Sequence, residues 1–333
     1  MAIAVEPITP PESTRGRTPR DSGYVLSRIG QAVLAAISVY VFVFVIVTVL
    51  PGDPVSNQLR NPEFNYSEAE IQQLLSYYNL DRSLWEQLGI ALLRLVQGDL
   101  GLSISSNRPV TAVLWDGVPS TLQLAGTAFV FATILAFAIA LAAFQLPSRF
   151  GGSVFRSFPS LFLSMPNFLI ALVVIDVFSF QLGFFRINDY DSLNALIYPA
   201  ITLAIPASAP IAQVLITALD TARAEQYATV AISKGISRFE LIARHLLPNA
   251  ALPTVTISAI IVGDLLAGSI ITEAIFGRNG VGSIIELAVV NQDVPVLQAA
   301  VTLAAVLFLA INLAVDLVYP ALDPRLRRKG ALR

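Results

Sequence analysis

EQYATVAISKGISRFELIARHLLPNA, residues 225–250, is a polar segment in an otherwise oily chain and holds its single histidine, His245. Residue spacing predicts a short helix over 221–234, with Tyr227, Val230, Ala231 and Lys234 three or four positions apart. Gly235 then ends it, because glycine enters the left-handed conformation that closes a helix at little cost. Ser237-Arg238-Phe239-Glu240 has the S-x-x-E form of a capping box, with Ile236 and Leu241 at the staple positions. A second helix is therefore expected to start there and to end at Leu247-Pro248. Links between helices usually need only a few residues. A stiff capped hairpin suits docking better than it suits a passive connector, which is the simpler alternative.

Around this hairpin the composition belongs to a membrane. The chain has 333 residues, 55% of them hydrophobic and 13% charged, with a mean hydropathy of +0.69, far from a soluble mix. A helix crossing the hydrocarbon needs about 20 mostly apolar residues. Six segments meet that need: 29–50, 120–144, 159–180, 196–218, 251–271 and 295–319. The expected fold class is an all-α integral membrane protein with six transmembrane helices and a small outer lobe between the first two. The divisions are a disordered tail over 1–24, transmembrane helix 1 over 25–50, and an extracytoplasmic lobe over 51–119. A transmembrane core follows over 120–319, containing the loop 219–250, and then a tail over 320–333. The first apolar run is too long for a signal-peptide core and reads as a retained anchor.

Most of the 21 Lys and Arg residues fall on one set of alternate loops: the N-terminal tail, Arg149 and Arg156, the hairpin with Arg223, Lys234, Arg238 and Arg244, and the C-terminal tail. Basic residues favour the cytoplasm, so both termini and the hairpin are expected there and the lobe outside. With no cysteine and one histidine, disulfides, thiolate metal sites and imidazole clusters are excluded. A net charge of -2 without a long basic block excludes nucleic acid as a partner. His245 has no nucleophile beside it and is assigned no chemistry.

Carboxylates inside spans are costly and face a cavity or a partner. Asp176 and Asp264 are candidate pore-lining residues, and hydrated or hydrogen-bonded structural sites are the alternative. Asp316 is read as structural. Pro166, with its neighbour Met165, and Pro206 and Pro210 are expected to interrupt backbone bonding, either shaping a gate or bending for packing.

The hairpin resembles that of inner-membrane permease subunits of ATP-binding cassette importers, specifically the dipeptide/oligopeptide family. That signature is a Glu-Ala-Ala patch, a glycine four residues on, and a later Leu-Pro. Here Thr229, Val230 and Ala231 stand at the patch, followed by Gly235 and Leu247-Pro248. LPGDP at 50–54, GDLGLS at 98–103, VPSTLQLA at 118–125 and SMPNF at 164–168 are similar too, as are Glu273, Phe276, Gly280, Gly282, Asp293, Asn312-Leu313, Asp316, Tyr319 and Asp323-Pro324-Arg325, all in order. The resemblance implies the type I importer permease fold and half of an import pore for di- or oligopeptides, or for nickel chelates, glutathione or another small solute. It implies a second homologous permease subunit, one or two cytoplasmic ATPases that carry the ATP and Mg, and an extracytoplasmic solute-binding protein, with no cofactor in this chain. Tyr227, Thr229, Val230, Ala231, Lys234, Gly235, Leu247 and Pro248 would then form the coupling loop.

Two other classes fit the sequence less well. An ion-gradient transporter would show repeated halves, and none is visible. An intramembrane protease would need a Cys, an intramembrane His or an H-E-x-x-H motif. There is no G-x-x-x-x-G-K-[ST] phosphate cradle, so any motor must be another chain.

Overall fold

Backbone groups in hydrocarbon must bond within their own segment, which drives long apolar runs into helices. The computed structural model describes residues 22–49, 67–77, 82–146, 151–187 and 193–322. Its elements are α1 (Ser22–Val49), α2 (Glu68–Tyr77), α3 (Leu84–Val96), α4 (Val110–Gln145), α5 (Gly152–Ser164) and α6 (Asn167–Val174), which widens into a π turn over Ile175–Gln181. Then come α7 (Asn194–Ala224), α8 (Gln226–Ser233), α9 (Arg238–Glu240) with a π turn over Leu241–Leu246, α10 (Leu247–Phe276), α11 (Val281–Val290) and α12 (Val294–Leu322). The tail over 1–21, LPGDP and Asp323-Pro324-Arg325 lie outside the described residues, as do the side chains of Asp316 and Tyr319.

Among the described residues, five helical runs are long and apolar enough to cross a membrane, and a sixth candidate is a bent pair. That pair corrects the expectation of a single span over 159–180: α5 and α6 meet at 102°. Pro166 lacks an N–H and disfavours helix at the residue before it, and Met165 accordingly sits extended at φ -94, ψ 122. The chain restarts as α6 with Asn167, whose Nδ2 donates to Thr272 Oγ1 on α10 at 3.0 Å. Pro206 and Pro210 behave differently, because α7 runs unbroken through both. The second span helix also begins earlier than the pattern indicated, at Val110, and carries Pro119 inside it.

α4 and α7 form the centre of the bundle. Ala128, Ala132, Ala136 and Ala140 recur every fourth residue on α4, and each is fully buried. Ala128 and Ala136 pack with Leu203, Ile211 and Ala212 of α7 and with Leu265 and Leu266 of α10, and Ala140 packs with Leu215 and Leu219 of α7. Small side chains at that spacing let helix backbones approach closely. The running directions then define two ends. α4 and α7 descend to the hairpin, where Ala143, Leu219 and Ala222 pack against it, and α10 climbs back to the end that carries α3, α11 and the loop before α4.

At this lobe end the loop 101–109 is tied down by one carboxylate. Asp293, 1% exposed, accepts the Ser103 hydroxyl at 2.5 Å, the Ser105 hydroxyl at 2.7 Å and the Ser105 N–H at 3.1 Å. A buried carboxylate is tolerated when its lone pairs are filled in this way.

Candidate functional site

The hairpin is built as two short helices on a buried floor. α7 ends at Ala224, Glu225 turns extended at φ -72, ψ 151, and α8 begins at Gln226. The expected helix over 221–234 is thus two pieces broken at Glu225. Gly235 stands at φ +78 with open space around it, and its N–H bonds the Ile232 carbonyl at 2.9 Å. Ser237 Oγ accepts the Glu240 N–H at 3.2 Å, but Glu240 does not complete the box. Its carboxylate is drawn to Arg244 Nη1 at 2.8 Å, one turn on.

Leu247-Pro248 is not a terminus. One helical run extends from Arg238 to Phe276. Proline at the second position of α10 can neither donate nor fit against the carbonyl four residues back. The π turn just before it shifts bonding to the fifth residue, with Leu247 N–H meeting the Ile242 carbonyl, and the helix passes through. The hairpin's second half is therefore continuous with the span that reaches the lobe end.

The side chains of the Thr229-Val230-Ala231 patch split between two faces. Ala231 is 7% exposed and, with Ala228, packs on Leu241, Ile242, Leu246 and Leu219. It is a floor residue and corrects the expectation of surface contact. Thr229, Lys234, Gly235 and Pro248 are exposed, and Leu247 is half-buried. Tyr227, Val230 and Ile232 are exposed, and Phe239 is 75% exposed. Phe239 and Ile232 were missed by sequence reading. The signal was an aromatic residue in the first turn of a capped helix inside a polar loop.

Beside the hairpin, α7, the start of α8 and the start of α10 enclose a cleft of about 780 Å³. Gln213, Thr217, Thr221, Glu225, Tyr227 and Asn249 give it a polar lining. On the far side of α7, Arg156 of α5 grips Asp220 through two bonds of 2.6 and 3.0 Å, and Arg223 lies 5.3 Å over the Phe144 ring.

The pore-lining candidates are not drawn into one cluster. Met165 packs with Tyr198, Phe178 and Ile275 around buried Phe185 and Phe276. Pro166 is exposed at the bend. Asp176 lies in the π turn and accepts Gln181 Nε2 at 2.7 Å. Asp264 is exposed on α10 on the same side as Ile260 and Ile271, also exposed. Among the described residues neither aspartate forms an ion pair.

The lobe end of α10 gives physical roles to Glu273, Gly280 and Gly282. Gly277, at φ +64, closes α10, and the chain turns into α11. Fully buried Glu273 accepts the Gly282 N–H at 2.8 Å, while Thr121 of α4 accepts the Val281 N–H at 2.9 Å. The first turn of α11 is thus capped by side chains from two other helices. A Cβ at Gly280 would collide with the Glu273 carboxylate, and one at Gly282 with the Ile270 backbone. Arg278 Nη1 donates to the Ala195 carbonyl and Nη2 to Gln123, each at 3.0 Å, and its hydrogen-bond reach spans α4, α7 and the turn. Burial lowers its pKa from the ordinary guanidinium range.

Long apolar helices packed around one that is fused to a polar hairpin define an integral membrane protein. Residues 128–328 match the binding-protein-dependent transport system inner membrane components, and the chain belongs to that family. It is 33% identical over 307 residues to the glutathione transport system permease protein GsiC of Escherichia coli O6:H1, covering 92% of this chain and 99% of that one. It is 32% identical, with the same coverage, to GsiC of Salmonella choleraesuis. Among solved structures, the MetNI methionine ABC transporter aligns with a TM-score of 0.52 at 18% identity, covering 64% of this chain and 97% of that chain, a likeness of fold. The protein is therefore an inner-membrane permease subunit of an ATP-binding cassette importer, with the type I permease fold.

Proposed function

We propose that this chain forms half of the translocation pathway of an importer for di- and oligopeptides. A second homologous permease subunit supplies the other half. One or two ATPase subunits, holding ATP and Mg, seat on the 225–250 hairpin, and a solute-binding protein delivers cargo at the lobe end. The hairpin and both termini face the cytoplasm, in keeping with the basic residues gathered there.

The observation that carries this reading is the unbroken helical run from Arg238 to Phe276, which begins beside exposed Tyr227, Val230, Ile232 and Phe239. Apolar groups presented on a capped loop are what a partner cleft takes up. Closure of the ATPases displaces the hairpin, and the helix carries that displacement to the lobe end. The polar cleft beside it supplies a hydrated mouth for release, and Asp264 on the same helix lines the path.

Co-purification in mild detergent tests the assembly. Recovery of a second six-span chain, ATPase subunits and a peptide-loaded outer protein is expected, and a lone homodimer would sink the proposal. A second reading, glutathione as cargo, is favoured by the GsiC relatives. Competition between labelled peptides and glutathione for ATP-dependent uptake separates the two.

A further inference from the structure

α3 has two apolar faces, and among the described residues only one has a protein partner. Leu84, Leu88, Ala91 and Leu95 are half-buried on the side towards α1, where the Tyr40 hydroxyl reaches the Ala91 carbonyl at 3.4 Å. Trp85, Leu93 and Val96 form a second stripe at helical spacing, and they are 76%, 65% and 87% exposed. The helix is held rigidly for so exposed an element. Glu86 accepts the Ser83 N–H at 3.1 Å and the Ser83 hydroxyl at 3.0 Å. Gly98, at φ +75, closes the other end, with its N–H on the Leu95 carbonyl and the Asp99 N–H on that of Arg94.

The level of this stripe identifies what covers it. Tyr40 is not at the end of α1. Helical residues 41–49 continue beyond it, about 13 Å of rise. Gln298, which lies beside the same phenol, is only about 6 Å below the start of α12 at Val294. α3 thus docks on the spanning helices about 6–13 Å inside their lobe-end limits, a range that takes in the depth of about 5–10 Å at which amphipathic helices lie in a bilayer. The helix on which α3 docks is itself a candidate span with exposed apolar residues, Ile37, Phe42 and Ile46 of α1.

We propose that α3 is an interfacial helix, lying in the lobe-end leaflet with Trp85, Leu93 and Val96 buried among lipid acyl chains near the headgroups. The lobe is then not wholly an aqueous module. Its second helix is part of the membrane anchor, a position that suits tryptophan, with its apolar ring and polar N–H.

The composition makes this directly measurable, since the chain has two tryptophans and no cysteine. In the Trp115→Phe variant of the full chain, reconstituted in phosphatidylethanolamine/phosphatidylglycerol vesicles, Trp85 is the sole indole. Loss of its emission is expected with lipids brominated near the headgroup, with a smaller loss for bromination near the chain ends. No loss with any brominated lipid overturns the proposal: sensitivity to aqueous iodide would then place the stripe in water, and insensitivity to both would place it under a protein partner. Leu93→Cys and Val96→Cys, each the only thiol present, give an independent reading. Both are expected to resist a membrane-impermeant maleimide in vesicles and to react once detergent is added. Prompt labelling in intact vesicles, from the side that bears the lobe, overturns it.

Discussion

The Glu273 carboxylate accepts the backbone N–H of Gly282 at 2.8 Å, so the last turn of the long α10 helix caps the first turn of α11. Removing that acceptor leaves a buried donor unpaired, which costs about 1–3 kcal/mol. Glu273→Ala is expected to lower the thermal stability of the purified subunit, and Glu273→Gln, which keeps an acceptor oxygen, to lower it less. Equal losses for the two would show that the bond contributes little.

Gly282→Ala acts at the same joint through volume. The added methyl meets the Ile270 backbone, which cannot rotate away as a side chain can. Overpacking of this kind costs about 1–3 kcal/mol or more. The expected outcome is reduced yield of folded protein on size-exclusion chromatography.

Gly235 presents the opposite case, with ample room and a demanding backbone. At φ +78 with nothing within reach of a Cβ, Gly235→Val is penalised by conformation alone, about 1–2 kcal/mol. Membrane insertion should be normal and ATP-dependent uptake sharply reduced. Gly235→Asn should retain more uptake, because asparagine tolerates the left-handed region. Normal uptake with valine would remove the hairpin's coupling role.

Phe239 and Ala231 separate contact from support. Phe239→Ala removes an exposed ring and should weaken retention of the ATPase in pull-downs while leaving thermal stability within about 0.5 kcal/mol of the parent. Ala231→Phe should lower both, because its side chain would force apart the Leu241–Leu246 floor.

Asp176 and Asp264 are expected to differ. Asp176 is already occupied by Gln181, and its change to Asn should leave uptake intact. Asp264→Asn should reduce uptake of peptides with a free amino terminus more than that of N-acetylated ones. Equal uptake of both by the variant and its parent would exclude Asp264 from the path.

Much of this architecture was readable from residue order. Long apolar runs have one hydrogen-bonding solution in lipid, so five of the six expected spans fall on unbroken helical runs, although the runs holding those expected over 120–144 and 251–271 start earlier, at Val110 and Arg238. Gly235 and Ser237 announced themselves because left-handed turns and helix caps are local events. The sharp bend at Met165-Pro166 was not readable as an angle. Proline freed the backbone there as it did at Pro206 and Pro210, and the different outcomes depend on neighbours distant in sequence, such as Thr272 for Asn167. Leu247-Pro248 misled for a related reason, since the π turn that accommodates it leaves no compositional mark. The split between Ala231 and Phe239 was hidden because it is set by the α4 and α7 floor beneath α8 and not by spacing within the hairpin.

The alanine ladder of α4 has a thermal consequence. Alanine has no side-chain rotamers to freeze, so the ladder adds none of that entropic cost to the seam between α4 and α7, where it falls on larger residues such as Leu203 and Ile211 of α7. Warming should broaden the rotamer populations of the leucine-rich faces well before it changes the spacing of these two helices. The central wall would thus stay dimensionally constant across the temperatures at which its surroundings soften.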